Sequence, residues 1–371
     1  MKILQISSAQ SLGGGERHLA DLAGGLAKLG HDVYAAIRPN SPLLPQLKTL
    51  PNKNITTLPL RNALDAISAR GLARLVSQNQ IQIIHAHMAR DYPLAAYAVR
   101  KNPGARLIIT RHVLFPLNRL HRITLAKAAR IIAVSEAVAR QLRIDGIASV
   151  EKLSVVLNGI DTRRFVEARA NFDRRHLLER WRLPEQSLLV GTVGELTPLK
   201  GQEDFLHAVL KVSPQFPTAH FIIAGLDHTR TKEYLTRLEK LIEQPELRPY
   251  VTLIGWVEDL AQLYSALDVF VSSSHTESFG LAIAEAMASS TAVVATATEG
   301  ARELVRPRET GLLVPIGAID QIAQEIAGLL SDADKRIRLG QAAQAFACAN
   351  FSLERMIAET ERIYEEVLQK D

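Results

Sequence analysis

The sequence predicts an α/β protein made of two successive doubly wound units. Three observations carry that expectation. The chain has 371 residues, too many for one core of ordinary size. Short β-rich apolar runs alternate with longer helical stretches along its whole length. Near the middle the alternation breaks, and a charged stretch ending in proline shows no strand pattern. A content of 47% hydrophobic and 22% charged residues is that of an ordinary folded protein, neither disordered nor fibrous.

Taken in order, KILQIS, VYAAI, IQIIHAH, RLIIT, RIIAVS and SVVLNG read as the strands of the first unit. After the first of them, ERHLADLAGGLAKLG places Leu19, Leu22, Leu26 and Leu29 at helical spacing, with Gly30 suited to close the helix. The second unit offers LLVGTVG, HFIIAG, VTLIG, VFVSSS, AVVATA and GLLVP. The patternless stretch NGIDTRRFVEARANFDRRHLLERWRLPE separates the two series and sets the expected domains at 1–163 and 164–352. The segment 353–371 is helical by pattern and is expected to pack back on the first domain.

The net charge of +5 hides a division. Residues 1–163 carry 22 Lys+Arg against 9 Asp+Glu, or +13, and the remainder carries −8. Such asymmetry points to an anionic partner for the first half, either nucleic acid or a membrane surface. With 5% aromatics and no basic run interleaved with them, stacking platforms for single strands are poorly supplied, so no nucleic acid is expected. The single cysteine, Cys348, forms no internal disulfide, which fits a reducing compartment. No apolar run reaches about 18 residues, and the apolar stretch of MKILQISS is too short for a signal peptide, so a cytoplasmic location is expected.

In open parallel sheets ligands bind beyond the carboxyl ends of the strands, and five such junctions carry unusual residues. The first is Ser11-Leu12-Gly13-Gly14-Gly15-Glu16-Arg17, where consecutive glycines let backbone amides approach a ligand at a helix start. It lacks the third glycine of a nicotinamide dinucleotide fingerprint, with His18 in its place, and the next strand ends in Arg38 rather than an acid. The second junction is His85-Ala86-His87-Met88-Ala89-Arg90-Asp91, with both histidines on one face of a strand and Asp91 able to accept a proton. Two histidines and a carboxylate admit a metal site, a structural role, or a contact to a sugar or acceptor. No further ligand cluster supports the metal.

Thr110-Arg111-His112 is the third junction, and Gly191-Thr192-Val193-Gly194-Glu195-Leu196-Thr197-Pro198-Leu199-Lys200-Gly201 the fourth, with Lys200 placed to reach phosphate oxygens. The fifth is the most informative. VFVSSS is followed by His275-Thr276-Glu277-Ser278-Phe279-Gly280 and then the helix LAIAEAMA. The amides from Ser278 to Leu281 form an anion site at a helix start. Glu285, among alanines, is costly to bury unless something hydrogen-bonds it. A sugar polyol at Glu277, a diphosphate at the helix start and a ribose diol at Glu285 would use all three features.

These motifs, together with IIAVSEAVA, VVLNGID and GELTPLKG, resemble the retaining glycosyltransferases of family 4 over essentially the whole chain. The resemblance implies the GT-B architecture, two Rossmann-like domains facing a central cleft, and transfer of a hexose from a nucleotide-diphosphate sugar, with a UDP-sugar the default. It implies that Glu277 holds hydroxyls of the donor hexose, Glu285 the ribose, and Phe279, Gly280 and Leu281 the sugar and diphosphate through their backbone. Lys200 would neutralise the diphosphate, approached also by Gly14 and Gly15. His112 would lie against the transferred sugar, Asp91 would bind or deprotonate the acceptor, and Trp256 and Val257 would line the base. Such enzymes work without a metal or other cofactor. Where many members carry Arg, five positions before the lysine, this chain has Glu195, and another cation such as Arg17 is expected to compensate.

The basic half is the acceptor half in this architecture. Between Lys101 and Val150 nine basic residues face two acidic ones, among them Arg119, Arg122, Lys127, Arg130, Arg140 and Arg143. HVLFPLNRLHRITLAKAARI mixes apolar residues with these cations, as interfacial segments do. Peripheral docking on anionic lipid at the inner face of the cytoplasmic membrane, with a glycan or lipid-linked acceptor of bacterial lipopolysaccharide or surface polysaccharide, is the expectation. A nucleotide-sugar epimerase and a non-catalytic nucleotide-sugar-binding protein of the same architecture are the alternatives.

Overall fold

Every apolar run named above forms a strand in the computed structural model, which describes residues 1–371 except 118–120, 147, 182, 370 and 371. Arg119, one of the cations of the basic stretch, lies outside the described residues. The chain divides into two units, Met1–Gly159 with Leu353–Asp371, and Ile160–Ser352.

The first unit holds β1 (Lys2–Ser7), α1 (Gly14–Lys28), β2 (Asp32–Ile37), β3 (Ile55–Thr57), α2 (Ala66–Asn79), β4 (Ile83–Ala86), α3 (Tyr92–Lys101), β5 (Arg106–Arg111), α4 (His121–Leu125), β6 (Arg130–Ala133), α5 (Glu136–Ile144) and β7 (Leu153–Val155). All its strands are parallel, in the order β3-β2-β1-β4-β5-β6-β7. The strand β3 has no counterpart among the apolar runs. It is a three-residue edge strand, ITT, too short to show a period and paired only with β2. The helix α1 begins at Gly14 rather than Glu16, because the Glu16 carboxylate turns back to accept the Gly13 amide at 2.9 Å and Arg17 N–H already reaches Gly13 C=O. Gly14 and Gly15 are therefore first-turn residues and not loop residues. At the other end Gly30, at φ +88°, closes the helix as its sequence position suggests.

The second unit holds α6 (Thr162–Ala170), α7 (Arg174–Arg180), β8 (Leu188–Val193), α8 (Gln202–Val212), β9 (Ala219–Ala224), α9 (Glu233–Ile242), β10 (Val251–Ile254), α10 (Leu260–Ala266), β11 (Val269–Ser272), α11 (Leu281–Ala288), β12 (Ala292–Thr296), α12 (Glu299–Leu304), β13 (Leu312–Val314), α13 (Ile319–Ser331) and α14 (Ala333–Asn350). Its parallel sheet runs β10-β9-β8-β11-β12-β13. The charged connector is thus two short helices, capped by Asp161 and Asp173. The break between units falls at Gly159 and Ile160 rather than after residue 163. Ile160 pairs with Ser352 and α6 packs on α10, α11 and α14, which ties this stretch to the second core.

The last helix, α15 (Leu353–Gln369), belongs to the first unit. The sheet there is covered on both faces, as alternation along each strand requires. Ile3, Val33, Ile83, Ile108 and Ile132 pack with α1 and with Met356, Ile357, Ile363, Tyr364 and Val367 of α15. The alternate residues Leu4, Ala36, Ile84, Leu107 and Ile131 pack with α2, α3 and α5. Each large apolar side chain so buried is worth about 1.5–3 kcal/mol, enough to hold α15 on this sheet although its nearest neighbours in sequence lie in the other unit. Among the described residues no helix is long and apolar enough to cross a membrane.

In each sheet the strand order reverses once, between β1 and β4 in the first and between β8 and β11 in the second. Those switch points are where the carboxyl edge opens for a ligand. The helix that starts at the second switch point, α11, is backed by α14, whose Gly340 lies so close to the turn after α11 that a Cβ there would stand 2.2 Å from Ser290 C=O. Gly340→Ala is therefore expected to lower the unfolding free energy by about 1–3 kcal/mol, seen as a lower midpoint in urea denaturation. An unchanged midpoint would mean that α14 stands off from that turn.

Candidate functional site

In the second unit the loop after β8 carries Lys200 and the loop after β11 carries Glu277. The two meet: Lys200 Nζ donates to Glu277 Oε1 at 2.6 Å, and Ser274 Oγ donates to the same oxygen at 2.8 Å. Their approach is built by Gly201, which takes φ +64° and lies against β11's end, where a Cβ would stand 2.1 Å from Ser273 C=O. Ser273 Oγ closes this contact by donating to Gly201 C=O at 2.7 Å. From the other side the Gly300 amide at the start of α12 donates to Glu277 C=O at 3.0 Å. The side chains of Lys200 and Glu277 are 31% and 12% exposed, so the pair itself stabilises the fold by about 1 kcal/mol at most. Its consequence is orientation: among the described residues Glu277 Oε2 has no partner, and the lysine retains two N–H donors.

Ser278 and Leu281 are half-buried at the start of α11, and Gly280 precedes the helix at φ +107°. The Phe279 ring is core, edge-on to Phe351 at 5.8 Å, which leaves its backbone as the part able to meet a ligand. Glu285 is buried one turn into the helix, and the partner its burial demands is the Tyr264 hydroxyl, which donates to Oε2 at 3.0 Å. Trp256 is exposed and Val257 half-buried after β10, on the same carboxyl edge but two strands away from the switch point. The Glu195 side chain is exposed, while its carbonyl accepts from Gln202 Nε2 at 2.9 Å.

In the first unit the switch point gathers histidines. His18 from α1, His85 from β4, His87 just beyond it and His112 just beyond β5 pack as a group, with ring centroids 4.2 Å apart for His85 and His87 and 4.8 Å for His18 and His112. His87 Nδ1 and His112 Nε2 are 3.2 Å apart, and Gly15 lies over the His112 ring, where a Cβ would touch it at 3.4 Å. Burial brings His18 down to about 4, and it holds His85, His87 and His112 well below the ordinary imidazole value, with repulsion among the rings adding to it. The cluster is neutral at pH 7.

Asp91, at the start of α3, is buried, and its Oδ2 accepts the Ser8 amide at 2.9 Å. Desolvation raises it to about 6 against that hydrogen bond. Arg17 is half-buried in the first turn of α1. Among the described residues His18 Nε2, His112 Nδ1 and Asp91 Oδ1 are buried polar atoms without a hydrogen-bond partner. Three such positions at one switch point suit a ligand rich in hydroxyl donors. Among the described residues, the three side chains whose nitrogens approach each other closely enough to share a cation are His18, His87 and His112, a set without Asp91, unlike the combination the sequence offers.

Several of these residues were not singled out in the sequence. Ser274 and Gly300 hold Glu277, Tyr264 holds Glu285, and His18 takes its orientation from Asn158, with Nδ1 2.9 Å from Oδ1. The signal for Asn158 lay in the motif VVLNGID and that for Ser274 in the serine run that ends VFVSSS. Nothing local marks Tyr264 or Gly300.

Two doubly wound parallel units, each with its polar groups at the switch point, define the GT-B class of sugar-transfer proteins. The family profile described as glycosyl transferases group 1 matches residues 173–346, and that of glycosyltransferase family 4 matches residues 12–164. The chain belongs to these group 1, family 4 glycosyltransferases. It is similar to the N-acetyl-alpha-D-glucosaminyl L-malate synthase of Bacillus anthracis, 23% identical over 83% of this chain and 80% of that one. It is similar also to the GDP-mannose-dependent alpha-(1-6)-phosphatidylinositol monomannoside mannosyltransferase of Mycobacterium tuberculosis, 25% identical over 77% and 76%. The crystal structure of a glycosyltransferase from Rickettsia africae shares the fold, with a TM-score of 0.88, 23% identity and coverage of 100% and 99%.

Burial opposes protonation of the histidines, so the fold is expected to lose stability in acid. For His18 the folded value of about 4 lies below the unfolded 6.5, so its contribution is present above pH 6.5 and is lost as pH falls through about 4. That is about 3 kcal/mol for this ring alone. Urea denaturation between pH 7 and 4 is expected to show the falling stability, and His18→Gln to flatten it. A slope that the substitution leaves unchanged would mean the ring already carries its proton in the folded chain.

Proposed function

We propose that this chain is a retaining hexosyltransferase that moves a sugar from a nucleoside diphosphate donor to a glycan or lipid-linked acceptor of the bacterial envelope. The observation that carries the reading is Glu277, oriented by Lys200 and Ser274 at the start of α11. Glu277 Oε2 accepts from hydroxyls of the donor hexose, while the first-turn amides of α11 and the Lys200 ammonium receive the diphosphate. Glu285 serves the ribose, and Trp256 and Val257 serve the base. The amides of Gly14 and Gly15, with Arg17, supply a second helix start suited to an anion, at the switch point of the first unit.

Chemically, the leaving diphosphate gains negative charge as the glycosidic bond breaks, and fixed N–H donors and one lysine stabilise that charge without reorganising. The acceptor hydroxyl attacks from the face the diphosphate leaves, the departing phosphate assisting with the proton. His112 serves a substrate hydroxyl at the switch point of the first unit. Asp91, at a value of about 6, is suited to take up a proton near neutral pH, and it binds the acceptor hydroxyl. The mycobacterial relative, a GDP-mannose-dependent enzyme whose name carries a phosphatidylinositol mannoside, supports a nucleotide-sugar donor and a lipid-linked acceptor.

Calorimetric titration with UDP-hexoses and GDP-hexoses tests donor binding, and mass spectrometry of products tests transfer. Lys200→Ala and Glu277→Ala are each expected to lower kcat/KM about 100-fold or more with little change in unfolding midpoint. Donor turnover without any acceptor would make the chain an epimerase, and binding without turnover a non-catalytic protein.

The basic region of the first unit fits the membrane side of this reading. Phe115, Ile123, Ile144 and Val150 are 60–72% exposed, and Arg122, Lys127, Arg140 and Arg143 are exposed in the same stretch of chain. Apolar side chains beside cations suit the headgroup region of anionic lipid. Cosedimentation with vesicles containing phosphatidylglycerol, but not with pure phosphatidylcholine, is the expected result, weakened by Phe115→Ser together with Ile123→Ser. Equal behaviour with both vesicle types would remove the membrane from the proposal.

A further inference from the structure

On the sheet face covered by α1 and α15 the apolar pattern is interrupted in one row. Gln5 of β1 pairs in register with His85 of β4, which pairs in turn with β5, and Thr110 lies near the end of that strand. Gln5, His85 and Thr110 are fully buried, and the hydroxyl that meets Gln5 and His85 comes from Tyr364 of α15, 359 residues beyond Gln5 in the chain. Three polar groups on a buried sheet face are costly unless their hydrogen bonds close. They close in a chain of hydrogen bonds that runs to His112.

The chain of bonds can be followed atom by atom. Gln5 Nε2 donates to the Tyr364 oxygen at 3.4 Å, so the amide oxygen points the other way, 2.7 Å from His87 Nε2. An amide oxygen only accepts, hence His87 carries its proton on Nε2 and its Nδ1 is bare. That bare nitrogen stands 3.2 Å from His112 Nε2, which must then donate, leaving His112 Nδ1 as the bare nitrogen. His85 Nδ1 stands 2.5 Å from the Tyr364 hydroxyl and its Nε2 2.6 Å from Thr110 Oγ1; with the Tyr364 proton directed to Nδ1, the ring carries its proton on Nε2. Burial keeps all three rings neutral at neutral pH, so each has one N–H and one acceptor. The last acceptor, His112 Nδ1, is buried and has no partner among the described residues.

We propose that Tyr364 and Gln5 are positioning residues that fix, through His87, the tautomer of His112, so that His112 offers Nδ1 as an acceptor to a substrate hydroxyl. This deepens the hexosyltransferase reading and rests on it for the substrate, but not for the proton arrangement. It gives α15 a task beyond covering the sheet, since the Tyr364 oxygen accepts from Gln5 Nε2 and so keeps the Gln5 oxygen toward His87. Two other arrangements compete with it. With the Gln5 amide turned over, every bond reverses and His112 Nδ1 becomes a buried N–H donor. With a cation shared by His18, His87 and His112, whose nitrogens lie within 4.8 Å of one another, the bond between His87 and His112 is given up.

Two-bond 1H–15N correlation spectra of the full chain labelled with 15N-histidine separate protonated from bare ring nitrogens. The expected result is Nε2–H with bare Nδ1 for both His87 and His112, unmoved by added Zn2+. A protonated Nδ1 on His112, or zinc shifting the His87 and His112 signals together, overturns the proposal. Tyr364→Phe and Gln5→Met are expected to scramble the His112 tautomer and lower kcat/KM about tenfold, with Gln5→Glu, which keeps an oxygen toward His87, restoring both. Full activity with a scrambled tautomer would also overturn it. If no donor supports turnover, the hexosyltransferase reading fails while the wild-type spectrum still decides the relay. If the variants do not fold, that spectrum decides it alone.

Discussion

A parallel sheet covered on both faces withdraws its strands from water, and every polar side chain along them must then find a partner inside the protein or lie beyond the strand ends. That desolvation constraint shapes both units of this chain. The strands are almost wholly apolar, and the polar groups concentrate in the loops that leave their carboxyl edges, at the one place in each sheet where neighbouring connections part in opposite directions. The same constraint explains why the exceptions matter. Gln5, His85 and Thr110 lie within strands, and the structure supplies Tyr364 to complete their hydrogen bonds.

The two switch points solve the problem in different electrostatic terms. In the second unit Lys200 and Glu277 retain access to solvent and neutralise each other at 2.6 Å, so both charges persist at modest cost. Such a pair suits a ligand that carries both anionic phosphates and hydroxyls. In the first unit the corresponding groups are buried, and burial removes charge: the imidazoles are neutral and Asp91 is shifted upward. Neutral acceptors and a carboxylate near its titration point suit hydroxyl recognition and proton uptake.

Glycine placement links these local chemistries to the fold. Gly201 lets the Lys200 loop lie on the end of β11, Gly300 brings α12 onto the Glu277 carbonyl, and Gly15 admits the His112 ring beneath α1. At Gly201 and Gly300 the contact is with backbone, so a side chain there would displace a functional group rather than fill space, whereas a Cβ at Gly15 would rest in ordinary contact with the ring.

The residues by themselves determined the strands, because period and length of apolar runs are local properties, and they marked Lys200, Glu277, Asp91 and His112 because unusual residue types stood at strand ends. They did not show β3, three residues without a period, nor the start of α1, which depends on a carboxylate turning back on a preceding amide. They also gave no hint that Glu285 would be met by Tyr264, that Gly300 would hold Glu277, or that Tyr364 would lie under the histidines. Those contacts join segments 21 to 279 residues apart, and partner choice at such separations is made by the packing of whole elements. Sequence placed the chemically able side chains at the sheet edge. Only the tertiary structure decided which of their atoms are satisfied, and therefore which remain for a ligand.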